Sequence, residues 1–282
     1  MKTIFRYTLA RIQGQLIGWG IAIFLIGVLV VSFYDIYAEN QSLIIKLIEA
    51  YPVEIMALLG DFGDITSPAG FLSMEYFSYM PFILGTFAVI TGAGLITKDE
   101  EKGRLDLVLA HPVSRTKLFW GRVLAFCVAT ILILVISWLG LVLPSFSTSL
   151  NLNPGELALP FLSLFAELLL FGTLALLMSF LLPAYWMAAM VAGVVLVISF
   201  FLEVLSLLTN NLDKVVKFSP LHYYQSGDAI NGMEFIWFAG LLIIAAVFAV
   251  VAWVIFGHRD IRVSGEGSWK FNALFFWRKA PI

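Results

Sequence analysis

The sequence predicts an all-α membrane protein with six transmembrane helices, and three observations support this fold class. Hydrophobic residues make up 61% of the 282 positions and charged residues only 13%, about half of the charged fraction of a soluble domain. Six apolar runs are long enough to cross a bilayer, which takes about 20 residues per helix. Lysine and arginine concentrate in alternate connections between these runs, as in proteins that cross a membrane several times.

A helix lying along the membrane surface is predicted before the first span. In residues 1–15 the apolar side chains repeat on one helical face, whereas Lys2, Arg6 and Arg11 lie off that face. This pattern is typical of a helix in the membrane interface, from which the chain then turns into the bilayer. A cleaved signal peptide is the alternative, but the apolar run that follows is too long for one. We therefore expect the segment to stay in the protein.

The six predicted spans form one transmembrane domain over the whole chain, residues 1–282. Their approximate limits are 16–34, 76–96, 123–143, 157–182, 185–208 and 235–256. The second span carries small residues that permit close helix packing, namely Gly85, Gly92, Ala93 and Gly94. Pro183 marks a tight turn between the fourth and fifth spans.

The connections also contain recognisable patterns. The acidic connection at 35–75 holds two short amphipathic patterns, at 43–48 and 55–59, that we expect to form helices on the outer membrane surface. The basic and aromatic tail after residue 256 is expected to lie on the other membrane surface, because aromatic rings and cations are both favoured there.

The distribution of cations predicts the orientation. With six spans, all of the 17 lysines and arginines except Lys46, Lys214 and Lys217 fall on one side of the membrane. Cytoplasmic connections carry the excess of lysine and arginine. We therefore expect a multi-pass protein of the cell membrane with both termini in the cytoplasm. An odd number of spans would divide the basic clusters between the two sides.

The segment 97–122 is the one dense block of charge, and Pro112 divides it into two predicted helices. The first carries an acidic start at 99–101, where the helix dipole favours carboxylates, and an apolar face of Leu105, Val108 and Leu109. The second begins with Ser114 as N-cap and runs into the third span. An ordinary solvated loop anchored by its charges is the alternative interpretation of this block.

The block resembles a signature of ABC-2 type transporter permeases. In that family an acidic E-x-G turn, a leucine-rich helix and a P-V-S-R motif precede the third span, and the stretch KDEEKGRLDLVLAHPVSRTKLFWGRVLA has the same order. The matching residues are Glu101, Gly103, Leu105, Leu107, Leu109, Pro112, Val113, Ser114 and Arg115. The chain departs from the family at Arg104-Leu105-Asp106, where threonine-leucine-glutamate is frequent, although the helical pattern survives.

The resemblance implies the transmembrane subunit of an ABC exporter for an amphiphilic substrate, such as a drug, an antibiotic or a lipid. Such permeases pair with a second permease copy, identical or homologous, and each copy binds a separate ATPase subunit through a coupling helix between spans two and three. The implied coupling residues are Glu100, Glu101, Gly103, Arg104, Leu105, Val108, Leu109, Pro112, Ser114 and Arg115. ATP and Mg²⁺ would be bound by the partner.

The chain itself is not expected to be an enzyme or to bind a cofactor. It contains no GxxxxGK[ST] motif for cradling ATP phosphates. No catalytic set is visible, and the three histidines are too dispersed in the sequence to predict a metal site.

Glu167 is the outstanding charge inside a predicted span. It lies about ten residues into the fourth span, roughly 15 Å deep at the helical rise, where a carboxylate costs at least about 2.5 kcal/mol. The functional interpretation is a group of the substrate path or gate, and the alternative is a packing residue. A second hypothesis for the whole protein is an ion-coupled secondary carrier that uses Glu167 as its ion site.

Overall fold

The computed structural model describes residues 1–50, 52, 67–105, 108, 113–208 and 212–259. All regular elements of this part of the chain are helices. The α-helices are α1 (Lys2–Ser32), α2 (Tyr34–Glu39), α3 (Gln41–Ala50), α4 (Pro68–Leu72), α5 (Met80–Ala93), α6 (Thr97–Glu101), α7 (Arg115–Ser145), α8 (Ala158–Leu181), α9 (Tyr185–Leu208), α10 (Asp213–Val216) and α11 (Phe235–His258). A π-helical turn (Ser73–Phe77) follows α4, and two 3₁₀ turns (Pro220–Tyr223 and Gly227–Ile230) precede α11.

Six helical stretches are long and apolar enough to cross a membrane, which confirms the predicted number of spans. They are formed by α1 with α2, by α4 with α5, and by α7, α8, α9 and α11. The second span begins at Pro68, earlier than the predicted start at Tyr76. Ser67 is the N-cap of this helix and accepts a hydrogen bond from the Gly70 N–H at 3.0 Å. The polar residues that follow interrupt the apolar run, so the hydropathy pattern placed the start of the span later.

Helix α1 corrects the prediction of a separate N-terminal helix. It is continuous from Lys2 to Ser32, with no turn between the amphipathic segment and the span. Ile4 and Ile12 on the apolar face of this segment are buried. A Cβ added at Gly121 of α7 would lie 3.1 Å from Ile4 Cγ2. The amphipathic face therefore packs on α7 over part of its length, and no proline interrupts the helix.

Helix α8 occupies the centre of the bundle, packed against α5, α9 and α11, while α1 packs along α7. Glycines permit these close approaches, as predicted for the second span. A Cβ added at Gly92 would overlap the backbone carbonyl of Gly172 in α8, and one at Gly85 would lie 2.7 Å from Leu196 Cδ2 in α9. Since no side chain separates the backbones at Gly92, α5 and α8 are in direct van der Waals contact there.

Polar contacts show which ends of the helices meet. The start of α1, helix α6, the start of α7 and the end of α11 are joined by ion pairs at one end of the bundle. The grouping of these elements on one side is therefore as the charge distribution predicted. Helix α3 confirms that the first amphipathic pattern of the acidic connection is helical. The pattern at 55–59 and the tail from 260 onward lie outside the described residues.

Candidate functional site

The charged segment after the second span begins with helix α6 and a glycine turn. The Arg104 N–H donates to the Asp99 carbonyl at 2.9 Å, and the Gly103 N–H donates to the Glu100 carbonyl at 3.0 Å. Gly103 has a φ of 62°, the left-handed conformation that glycine adopts most easily. These features form a Schellman motif, which ends a helix.

This turn corrects the limits of the helix that the apolar spacing predicted, and it agrees with the E-x-G turn implied by the family resemblance. The sequence pattern placed the acidic residues 99–101 at the start of the same helix as Leu105 and Val108. The structure ends the acidic helix at Glu101, and Leu105 and Val108 have helical backbone only after the Gly103 turn. A glycine that can take a positive φ stops a helix even where the apolar spacing would continue it.

Asp99 makes the most deeply buried ion pair of the described chain. Its Oδ2 accepts hydrogen bonds from Arg11 of α1 and from Arg122 of α7, the latter with Nη2 at 2.8 Å. The Asp99 and Arg122 side chains are 2% and 1% exposed. Arg122 also donates from Nη1 to the Leu95 carbonyl at 2.6 Å. One carboxylate therefore joins α6 to the starts of two spans.

Glu100 connects α6 to the end of the last span. Both of its carboxylate oxygens accept from Arg259 Nη2, at 2.9 and 3.1 Å. Arg259 also donates to the Phe180 carbonyl of α8 at 3.3 Å. Arg115, at the start of α7, donates to the Arg259 carbonyl at 2.6 Å and thereby caps the last turn of α11.

Glu101 connects α6 to α9. Its Oε1 accepts from the backbone N–H of Tyr185, the first residue of that helix, at 2.7 Å. An acidic group at a helix N-terminus satisfies a free N–H and interacts favourably with the helix dipole. The three consecutive carboxylates of α6 thus contact four different spans.

The remaining predicted coupling residues divide by exposure. Arg104 and Ser114 are exposed, Gly103, Val108 and Arg115 are half-buried, and Leu105 is buried. Ser114 is the N-cap of α7, as predicted, and accepts from the Lys117 N–H at 3.3 Å. Leu109 and Pro112 lie outside the described residues. Leu105 therefore packs against the bundle itself.

Glu167 lies in the centre of the bundle on α8. Its side chain is 0% exposed, and neither carboxylate oxygen has a hydrogen-bond partner among the described residues. An unsatisfied buried polar group is costly in protein interiors. The side chain therefore lies within the packed helices and does not reach a membrane surface.

The polar residues near Glu167 include Glu203 of α9 and residues of the segment before α11. The Tyr224 hydroxyl donates to the Phe77 carbonyl at 3.0 Å, so it does not satisfy the Glu167 carboxylate. Burial, with the charge of Glu167 as a second cause, raises the pKa of Tyr224 well above its ordinary value. The Gln225 N–H donates to Ser163 Oγ of α8 at 3.0 Å. The segment 220–225 thus inserts between the spans.

Sequence reasoning missed the roles of Arg11, Arg122 and Arg259. From the sequence, all three count only as cations that indicate the orientation. Of their acidic partners, Glu100 is assigned to the predicted coupling set, and Asp99 has only a place at the acidic start of a helix. The only local signal was the placement of an arginine at the start or end of an apolar run, which is also the pattern of a simple interfacial anchor. Within the described residues, no group of three histidine, cysteine or carboxylate side chains could hold a metal ion.

Comparisons with known proteins identify the family. Residues 7–257 match the family described as "Multidrug efflux system permease Rv1217c, C-terminal domain". The chain is also 27% identical over 206 residues to the "Uncharacterized membrane protein YdbK" of Bacillus subtilis (strain 168), in an alignment that covers 67% of this chain and 83% of the relative. Because the family match spans most of the chain, the protein belongs to this family of multidrug efflux permeases.

Proposed function

We propose that this efflux permease is the transmembrane subunit of an ABC-2 type exporter, driven by a separate ATPase subunit that binds ATP and Mg²⁺. The observation that carries the proposal is the connection of α6 to four spans through Asp99, Glu100 and Glu101. A force applied to this segment by a partner reaches α1, α7, α9 and α11 at once. The sequence contains no phosphate-binding loop, so in this proposal the partner supplies the ATP site.

The surface offered to the ATPase consists of the exposed polar residues around the Gly103 turn and the start of α7. Arg104, Ser114 and Lys117 are exposed there, and Glu101 is exposed while it holds Tyr185. The buried members of the predicted coupling set, Glu100 and Leu105, transmit movement into the bundle. ATP-driven closure of two ATPase subunits would then rock the spans of two permease copies around a shared substrate path.

Charge reversal at Lys117 tests the docking surface. Lys117 lies in the first turn of α7, where a carboxylate is favoured by the helix dipole. Lys117→Glu should therefore leave the permease folded but reduce both co-purification of the ATPase and ATP-dependent efflux. Lys2→Glu is the matched control, since Lys2 is an exposed cation in the first turn of α1 and lies outside the charged segment.

The experiment uses affinity-tagged full-length permease extracted in mild detergent, followed by reconstitution into vesicles with a fluorescent drug inside. A co-eluting ATPase and drug movement that requires ATP would support the proposal. Efflux that continues without ATP, from preparations that contain no ATPase, would overturn it. Equal loss of ATPase binding in Lys117→Glu and Lys2→Glu would place the docking surface elsewhere.

An ion-coupled carrier is the second candidate, and Glu167 is the observation that favours it. A fully buried carboxylate without a hydrogen-bond partner is a suitable proton or sodium site in a transporter. In this mechanism the same vesicles would move the drug in response to a proton or sodium gradient alone. In the ABC mechanism Glu167 belongs instead to the substrate path or gate.

A further inference from the structure

A cavity of about 350 Å³ lies between α1 and α5, at the end of the bundle that carries α6. This volume falls within the range of small-molecule sites, about 300–1,000 Å³. Residues of α1 form one wall, with Arg11 and Gly14 among them, and residues of α5 form the other, with Ile90 and Thr91 among them. Deeper in the bundle, Trp19 and Phe87 make an edge-to-face contact that brings the two helices together.

The lining of this cavity is strongly basic. Arg11, Lys98, Lys102 and Arg104 contribute four cations, and Asp99 is the one acidic residue. Asp99 is already neutralised, because it pairs with both Arg11 and the buried Arg122. Lys98 places its ammonium 5.7 Å from the centre of the Tyr185 ring. Lys102 and Arg104 make no ion pair in the described part of the chain, so the cavity has a net positive charge.

The position of the cavity points to a lipid. Its walls include Ile12 and the 44% exposed Ile90. On α1, the exposed residues Ile17 and Ile21 continue the helical face of Gly14 toward the middle of the membrane. A ligand with its anionic group among the cations can therefore lay an acyl chain along this apolar face. Basic pockets between transmembrane helices are known to bind anionic headgroups.

We propose that this cavity binds the phosphate headgroup of an anionic phospholipid, with Lys102 and Arg104 as its donors. The bound lipid would bridge α1, α5 and the Gly103 turn. This inference does not require the ATPase partner, because every residue in it belongs to the permease. Orientation of the protein with its basic side in the cytoplasm would place the lipid in the inner leaflet.

The test measures lipid binding to the purified full-length permease by native mass spectrometry, with phosphatidylglycerol, phosphatidylcholine and inorganic phosphate as probes. Phosphatidylglycerol should bind more tightly than phosphatidylcholine. Lys102→Gln with Arg104→Gln should weaken it by about 30-fold, since each cation near an anionic surface contributes about fivefold. Lys2→Gln with Arg6→Gln removes two exposed cations outside the cavity and should leave the affinity unchanged.

A second pair of variants tests the cavity without changing any charge. A Cβ at Gly14 or at Gly18 meets no atom within 4 Å, and only Gly14 lines the cavity. Gly14→Leu should therefore block phosphatidylglycerol binding, whereas Gly18→Leu should not.

Two results would overturn the assignment of a lipid headgroup to this cavity. One is undiminished phosphatidylglycerol binding in both Gly14→Leu and the Lys102/Arg104 variant. The other is displacement of the lipid by inorganic phosphate alone at equal concentration, which would indicate a site for a soluble anion.

Discussion

Replacing Glu167 by leucine should make the protein more stable and at the same time abolish efflux. The Glu167 side chain is 0% exposed, and both carboxylate oxygens lack a hydrogen-bond partner in the described structure. Leaving a buried polar group unsatisfied costs about 1–3 kcal/mol. An apolar side chain of similar volume removes that cost, so Glu167→Leu should gain about 2 kcal/mol of unfolding free energy. Such a gain accompanied by lost activity is typical of a functional residue.

Glu167→Gln is the control for this prediction. Glutamine keeps the shape of a carboxylic acid but cannot exchange a proton, so its stability should remain within about 1 kcal/mol of the wild-type protein. Thermal unfolding of the detergent-purified chain measures stability, and drug efflux from reconstituted vesicles measures function. A fall in stability in both variants that parallels the loss of efflux would refute a functional role, because it would show that the carboxylate holds the helices together.

Two further predictions concern helix packing and the charge network. Gly92→Ala should destabilise the protein by about 1–3 kcal/mol, because the added Cβ overlaps the Gly172 carbonyl. Gly18→Ala, with no atom near its Cβ, should be neutral or stabilising in the same thermal assay, and equal effects would contradict this account of α5 packing. Asp99→Asn should cost about 3–5 kcal/mol, since it leaves the buried Arg122 without its charge partner. An unchanged unfolding midpoint would show that Asp99 does not stabilise this end of the bundle.

The two ends of the bundle have different polar chemistry. At the end that carries α6, the contacts are ion pairs between carboxylates and arginines. At the other end, the contacts are mostly neutral hydrogen bonds, such as Tyr76 to Ser137 at 2.7 Å. The contact between His222 Nδ1 and Glu203 Oε1 at 3.6 Å also lies there, and it is an ion pair only when His222 is protonated. The two ends therefore differ in the kind of polar contact that joins their helices.

The sequence by itself determined the number of spans and the grouping of their ends. Both depend on quantities that are local along the chain, namely the length of apolar runs and the positions of lysine and arginine. The N-cap at Ser114 could also be predicted from the sequence, because its hydrogen bond joins residues only three positions apart. The apolar spacing did not reveal the Gly103 turn, since glycine permits a positive φ without requiring it; only the E-x-G turn of the family resemblance indicated it.

Only the tertiary structure decided which charges are partners. Arg11 and Asp99 are 88 positions apart, and Glu100 and Arg259 are 159 apart. No periodicity relates such distant residues, because their meeting depends on which helix faces pack together. The same packing leaves Glu167 buried with no hydrogen-bond partner among the described residues, and it leaves a basic cavity between α1 and α5. The sequence located the charges, and the close packing of α5, α7 and α8 decided which of them are neutralised and which remain available to a ligand.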